Sequence, residues 1–137
     1  MEKDRIGSLL MHHCDFAKKL SSDERKQIVA RLRDNLDVDI EVGNPWDSVE
    51  APDGVYRTDG WAVIPEYIGE SSCLVFSPGA REIWNFSSGG ALLDFLSNSP
   101  ALEYYVCDLA CSFLLCCNHH DYVIGWGKAQ QWVANLS

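Results

Sequence analysis

Apolar positions along this chain recur first at helical and then at strand spacing. Ile6, Leu9, Leu10, His13, Phe16, Ala17 and Leu20 share one stripe, which predicts a helix over about residues 4–20. Ser21 followed by Glu24 has capping-box spacing, and Ile28, Val29, Leu32 and Leu36 make a second stripe. The two helices are expected to form an antiparallel pair. After Asn35 the period becomes two. Val38, Ile40 and Val42 alternate with Asp37, Asp39 and Glu41, the pattern of a half-buried strand with an acidic outer face. "GNPWDSVEAPDGVYRTDG", residues 43–60, carries two prolines and three glycines and reads as a long irregular loop.

The remainder reads as a meander. "WAVIPEYI", "CLVFS" and "EIWNF" are predicted strands separated by the turn signals "GESS" and "PGAR". Ser87 or Ser88 caps a short helix through "GGALLDFLSN". The strands "EYYVC", "FLLCC" and "YVIGW" follow, and "KAQQWVANL" closes the chain as a helix. The expected fold is α+β in one domain over 1–137: an N-terminal helical pair, a mainly antiparallel sheet with one inserted helix, and a C-terminal helix.

A turn at 118–121 pairs Cys117 with Tyr122, Cys116 with Val123 and Leu115 with Ile124. A turn at 109–112 pairs Cys107 with Leu114 and Tyr105 with Cys116. Strand alternation then puts Tyr105, Cys107, Leu114, Cys116 and Val123 on one face. Tyr104, Val106, Phe113, Leu115, Cys117, Tyr122 and Ile124 share the other. Both faces are apolar, so these strands are expected to be covered on both sides.

The same register weighs on "CCNHHD", residues 116–121, the stretch richest in reactive side chains. Cys116 and Cys117 point to opposite faces and cannot share a metal ion, and no C-x-x-C pair accompanies them. A nucleophile needs an exposed thiolate beside an imidazole, whereas a cysteine buried in an apolar strand is inert. Small core cysteines around a turn are therefore expected, with no metal and no catalytic residue. Asn118 and Asp121 are turn residues whose side chains bond the backbone. His119 and His120 sit at the tip as solvated residues or as contacts for a partner. "SSGGALL" reads as a helix cap, because it lacks the lysine and spacing of a P-loop. No dinucleotide fingerprint, G-x-S-x-G or H-E-x-x-H is present, so no cofactor is implied.

With 137 residues, 47% apolar and 11% aromatic, the chain can bury a core without staples and is not disordered. It opens on no signal peptide, and a cytoplasmic location with reduced thiols is expected. Its net charge of −9 is unevenly placed. Residues 1–33 are basic on balance. Residues 34–59 hold Asp34, Asp37, Asp39, Glu41, Asp47, Glu50, Asp53 and Asp59 against Arg57 alone. Such a field repels nucleic acid and attracts a basic protein. The segment is either a solvated face, with Asp39 and Glu41 guarding an edge strand, or a contact surface. Trp46 among the acids favours contact, since tryptophan is common at interface anchors. The candidate contacts are Asp37, Asp39, Glu41, Trp46, Asp47, Glu50 and Asp53, with His119 and His120 as a second patch.

Over about residues 55–130, at "GWAVIPEYIGESSCLVF", "REIWNFSSGGALLDFL" and "EYYVCDLACSFLLCCNHHDYVIGWG", the chain resembles small bacterial α+β immunity-type proteins such as those of the SUKH superfamily. The resemblance rests on strand order and short aromatic motifs, and no contact residue carries over from it. It implies an inhibitor that neutralises a cognate toxin by binding it, commonly over the substrate cleft of a nuclease. Acidic side chains then stand where substrate phosphates would. The alternatives are a small thiol or histidine hydrolase built on Cys116–Asp121, or an intracellular adaptor for a basic partner.

Overall fold

The computed structural model describes residues 6, 17–41, 44–48, 51–99 and 102–137. Among these, seven strands form one wholly antiparallel sheet: β1 (Ala17–Lys19), β2 (Val55–Tyr56), β3 (Cys73–Phe76), β4 (Trp84–Phe86), β5 (Tyr104–Cys107), β6 (Phe113–Cys117) and β7 (Tyr122–Gly127). Their spatial order is β1-β4-β3-β5-β6-β7-β2. Helix α1 (Ser22–Leu36) precedes most of the sheet, α2 (Gly60–Ile68) and α3 (Gly89–Ser97) are inserted between strands, and α4 (Gln130–Ala134) closes the chain. The fold is α+β.

The central strands are buried on both faces, so the sheet needs two covers. On one face Tyr104, Val106, Leu115, Cys117 and Val123 pack with Ile64, Ile68, Leu92, Phe95, Leu96 and Val133 from α2, α3 and α4. On the other, Tyr105, Cys107, Leu114, Cys116, Ile124 and Trp126 pack with Ile28, Val29 and Leu32 of α1 and with Val38 and Ile40 beyond it. Burial of side chains of this size stabilises by about 1.5–3 kcal/mol each.

Helix α1 starts as its sequence predicts. Glu24 N–H donates to Ser21 Oγ and Ser21 N–H to Glu24 Oε1, at 3.1 and 2.8 Å. It stops at Asp37, whose φ of 57° is left-handed and whose N–H returns to Arg33 O. Ser88 caps α3 by accepting from Ala91 N–H.

Five expectations need correction, one being the irregular loop over 43–60, whose described residues hold the 3-10 turn Pro45–Asp47 and strand β2, drawn in by the open edge of β7. Most of the first predicted helix, with His13, lies outside the described residues. Its last turn is instead strand β1, because the open edge of β4 takes Ala17–Lys19 as a partner, with Leu20 N–H donating to Ile83 O. The acidic segment Asp37–Glu41 alternates as expected, with Val38 and Ile40 buried, but it joins no ladder. It runs as irregular chain against the α1-side core. "WAVIPEYI" is helix α2, not a strand: Gly60, Ile64, Pro65 and Ile68 recur at helical spacing and are its buried residues.

The β7 register also differs. Cys117 pairs with Val123, Cys116 with Ile124 and Leu115 with Gly125, one residue beyond the predicted register. Asn118 N–H donates to Tyr122 O, and Asp121 takes a left-handed φ of 63°. A three-residue loop with a bulge therefore replaces the four-residue turn. A slip of one residue exchanges faces, so Val123 and Ile124 swap sides. The β5–β6 register, with Cys107 opposite Leu114 and Tyr105 opposite Cys116, is as predicted.

Helices α2 and α3 meet where Gly89 N–H donates to Gly69 O at 2.7 Å. A Cβ on Gly89 would lie 2.2 Å from Pro65 O and 2.7 Å from Gly69 O, whereas one on Gly90 would meet only Ser88 Oγ, at 3.6 Å. Gly89→Ala is accordingly expected to cost about 2–3 kcal/mol in urea unfolding, the scale of overpacking against backbone. Gly90→Ala is expected to be neutral or to gain up to about 1 kcal/mol from helix propensity. Equal effects of the two substitutions would refute this account of the helix contact.

Candidate functional site

Glu103, immediately before β5, joins two segments that are far apart in sequence. Its side chain is only 9% exposed. Oε2 accepts from Trp46 Nε1–H at 3.1 Å, and Oε1 accepts from His119 N–H at 3.0 Å. Oε1 also lies 2.7 Å from His119 Nδ1. The carboxyl group thus fixes the short 3-10 turn Pro45–Asp47 against the β6–β7 turn. Trp46 meets both imidazoles edge-on, with centroids 5.6 Å from His119 and 5.7 Å from His120, and the imidazoles are 4.0 Å apart. Two regions expected as separate patches therefore form one surface.

The turn is built by Asn118. This residue is buried, and its Oδ1 accepts from His120 N–H and Tyr122 N–H at 2.9 and 3.0 Å. It acts as the backbone-bonding residue expected, and Asp121 serves the turn through its positive φ. His119 and His120 are held outward at the tip, and both are exposed.

The acidic residues divide into two groups. Glu41 pairs with Arg25 at 2.7 Å, and Asp39 with Arg33 at 3.3 Å. Both arginines belong to α1, so the basic N-terminal region partly neutralises the acidic one. These pairs are substantially exposed and stabilise by about 0–1 kcal/mol each. Asp59 accepts twice from Arg57 at 2.7 Å, and these hydrogen bonds hold its carboxyl below the usual range. Asp37, Asp47 and Asp53 are exposed and form no ion pair among the described residues. Glu50 lies outside the described residues.

An open cleft of about 400 Å³ lies between the end of α1 and the 3-10 turn. Asp37, Asp39 and Asp47 rim it, and Leu36, Val38 and Trp126 supply apolar lining. Beside the histidine turn, exposed Tyr56 and Tyr122 pair across β2 and β7 with centroids 5.7 Å apart. Sequence reasoning missed both tyrosines, Trp126 and Glu103. Glu103 carried no signal, because an acid before a strand ordinarily points to solvent. Tyr122 would have been assigned to this surface by the correct β7 register.

Among the described residues, no cysteine presents an exposed thiol at this surface. Cys73, Cys107, Cys111, Cys116 and Cys117 are free and buried. Cys116 belongs to the α1-side core and Cys117 to the opposite one, as strand alternation requires. Burial pushes the Cys73 and Cys117 thiols up to about 12 and raises Cys116 well above its ordinary value. Among the described residues no group of three or more His, Cys, Asp or Glu is arranged to hold a metal ion, and no helix is long and apolar enough to cross a membrane. No protein-family model, curated protein or solved structure matches the chain.

Two measurements follow from this geometry. Glu103→Ala removes three contacts at once and is expected to cost about 1–3 kcal/mol. It should also speed hydrogen exchange at the Trp46 indole N–H; an unchanged exchange rate would show that Glu103 does not hold the loop. At pH 8 a thiol with a pKa of about 12 is ionised to roughly one part in ten thousand, against about a quarter for a free cysteine. Iodoacetamide mapping by mass spectrometry should leave Cys73 and Cys117 unlabelled until the chain unfolds. Because folding raises these values, their contribution to stability is intact below about pH 8.5 and is lost as pH rises toward 12. Rapid labelling of native Cys117 would contradict its burial.

Proposed function

We propose that this protein is a non-enzymatic binding module for a basic protein partner, and specifically an immunity protein that neutralises a cognate toxin by covering its active site. The observation that carries the reading is the acidic cleft beside the Trp46–His119–His120 cluster. Asp37 and Asp47 present carboxylates at a concave site with apolar lining, and Tyr56 and Tyr122 offer the amphipathic rings that anchor interfaces. A basic side chain entering the cleft finds charge and an apolar wall together. Long-range attraction from a net charge of −9 speeds its approach. Asp39 and Glu41 belong to the same acidic face but are already shared with Arg33 and Arg25, so Asp37, Asp47 and Asp53 are assigned the larger share of the attraction.

The hydrolase alternative needs a thiolate beside His119 or His120. The burial and raised pKa values of Cys116 and Cys117 weigh against it. A nuclease-type toxin fits the acidic face, because a site built for phosphates is basic.

The test is co-expression with the product of the neighbouring reading frame, followed by pull-down and a growth-protection assay. A complex that rescues growth is expected. Asp37→Lys with Asp47→Lys should slow association at low salt at least tenfold and flatten its salt dependence. Absence of both complex and rescue would remove that partner, and unchanged association kinetics would remove the cleft from the interface.

A further inference from the structure

The surroundings of His119 match what a metal-ligating histidine requires, and the cysteines play no part in it. A carboxyl oxygen that already accepts from His119 N–H lies 2.7 Å from Nδ1. In the neutral ring whose Nδ1–H donates to this oxygen, Nε2 is the nitrogen left to bind a metal. Carboxylate–imidazole pairs of this kind fix tautomer and ring orientation in metal sites. Among the described residues nothing bonds His119 Nε2, and the side chain is 58% exposed. Glu103, by contrast, has a side chain only 9% exposed that also accepts from Trp46 Nε1–H, so the ring is held from one side.

A second imidazole stands beside it. The His119 and His120 centroids are 4.0 Å apart with planes inclined at 47°. Two imidazoles bound to one ion at about 2.0–2.1 Å place their centroids roughly 4.5–5 Å apart. Opening the pair by under about 1 Å reaches that distance, and no described residue hydrogen-bonds the His120 ring to prevent it. Trp46 meets both rings edge-on, and both histidines are exposed.

We infer that His119 and His120 form a two-imidazole site for a divalent transition metal, with Glu103 as the positioning residue. Nitrogen ligands select zinc, nickel or copper over magnesium and calcium, which prefer oxygen. Two protein ligands leave the remaining positions to water or to a side chain of another molecule. The inference does not depend on the immunity reading, since it concerns the isolated chain.

The experiment is calorimetric titration of the tag-free full chain with zinc chloride and with nickel chloride, magnesium chloride serving as control. One equivalent of zinc or nickel is expected to bind. Binding should be lost in His119→Ala and in His120→Ala and weakened about tenfold in Glu103→Gln, with circular dichroism unchanged. Nickel should broaden the ring-proton resonances of His119 and His120 selectively in the unsubstituted chain, a readout that needs no variant to fold. No binding by zinc or nickel, equal binding of magnesium, binding that survives either alanine substitution, or broadening centred elsewhere would overturn the inference.

Discussion

The constraint on which the rest depends is that β5, β6 and β7 are apolar on both sides. A sheet whose central strands are buried twice needs a cover on each face. Among the described residues, three short helices and Ile6 supply one cover. The other is α1 and the chain that follows it, with Val38, Ile40, Trp46 and Ala51 all reaching the same core. The acidic segment is therefore not a loop hung from the molecule. Its apolar residues are held by the sheet, and alternation turns the intervening carboxylates outward.

That arrangement decides where charge and aromatic groups can meet. The covering chain crosses the sheet beside the β6–β7 turn, and a carboxylic acid at the start of β5 is enclosed between them. Enclosing a polar group is unfavourable unless its hydrogen bonds are made, and Glu103 makes them with the indole and backbone groups that approach it. Packing thus brings the two segments close, and the carboxyl group determines their mutual orientation. The surface that results joins an acidic cleft, a pair of imidazoles and two exposed tyrosines.

Much of this was legible in the sequence because it follows from period and capping. The α1 and α3 caps, the β5–β6 register and the separation of Cys116 from Cys117 all came from rules that act within a few residues. The failures have physical causes. "WAVIPEYI" is rich in branched and aromatic residues, which suggested a strand, yet its buried positions are helical. The β7 register turned on one residue in the left-handed region, and Asp121 hides what a glycine would have announced. The acidic alternation was real but needed no ladder partner, because a core can hold an extended chain by its side chains alone. Of the site, Trp46 and the two histidines were found as separate fragments. Their union through Glu103 was not legible, since it depends on a contact 57 residues apart.

The central claim is that the acidic covering chain and the histidine turn form one continuous surface in solution. A nuclear Overhauser spectrum of the unsubstituted protein tests it most directly. Cross-peaks from the Trp46 indole ring to the ring protons of both His119 and His120 are expected. Their absence, with Trp46 in contact only with its own segment, would contradict the account.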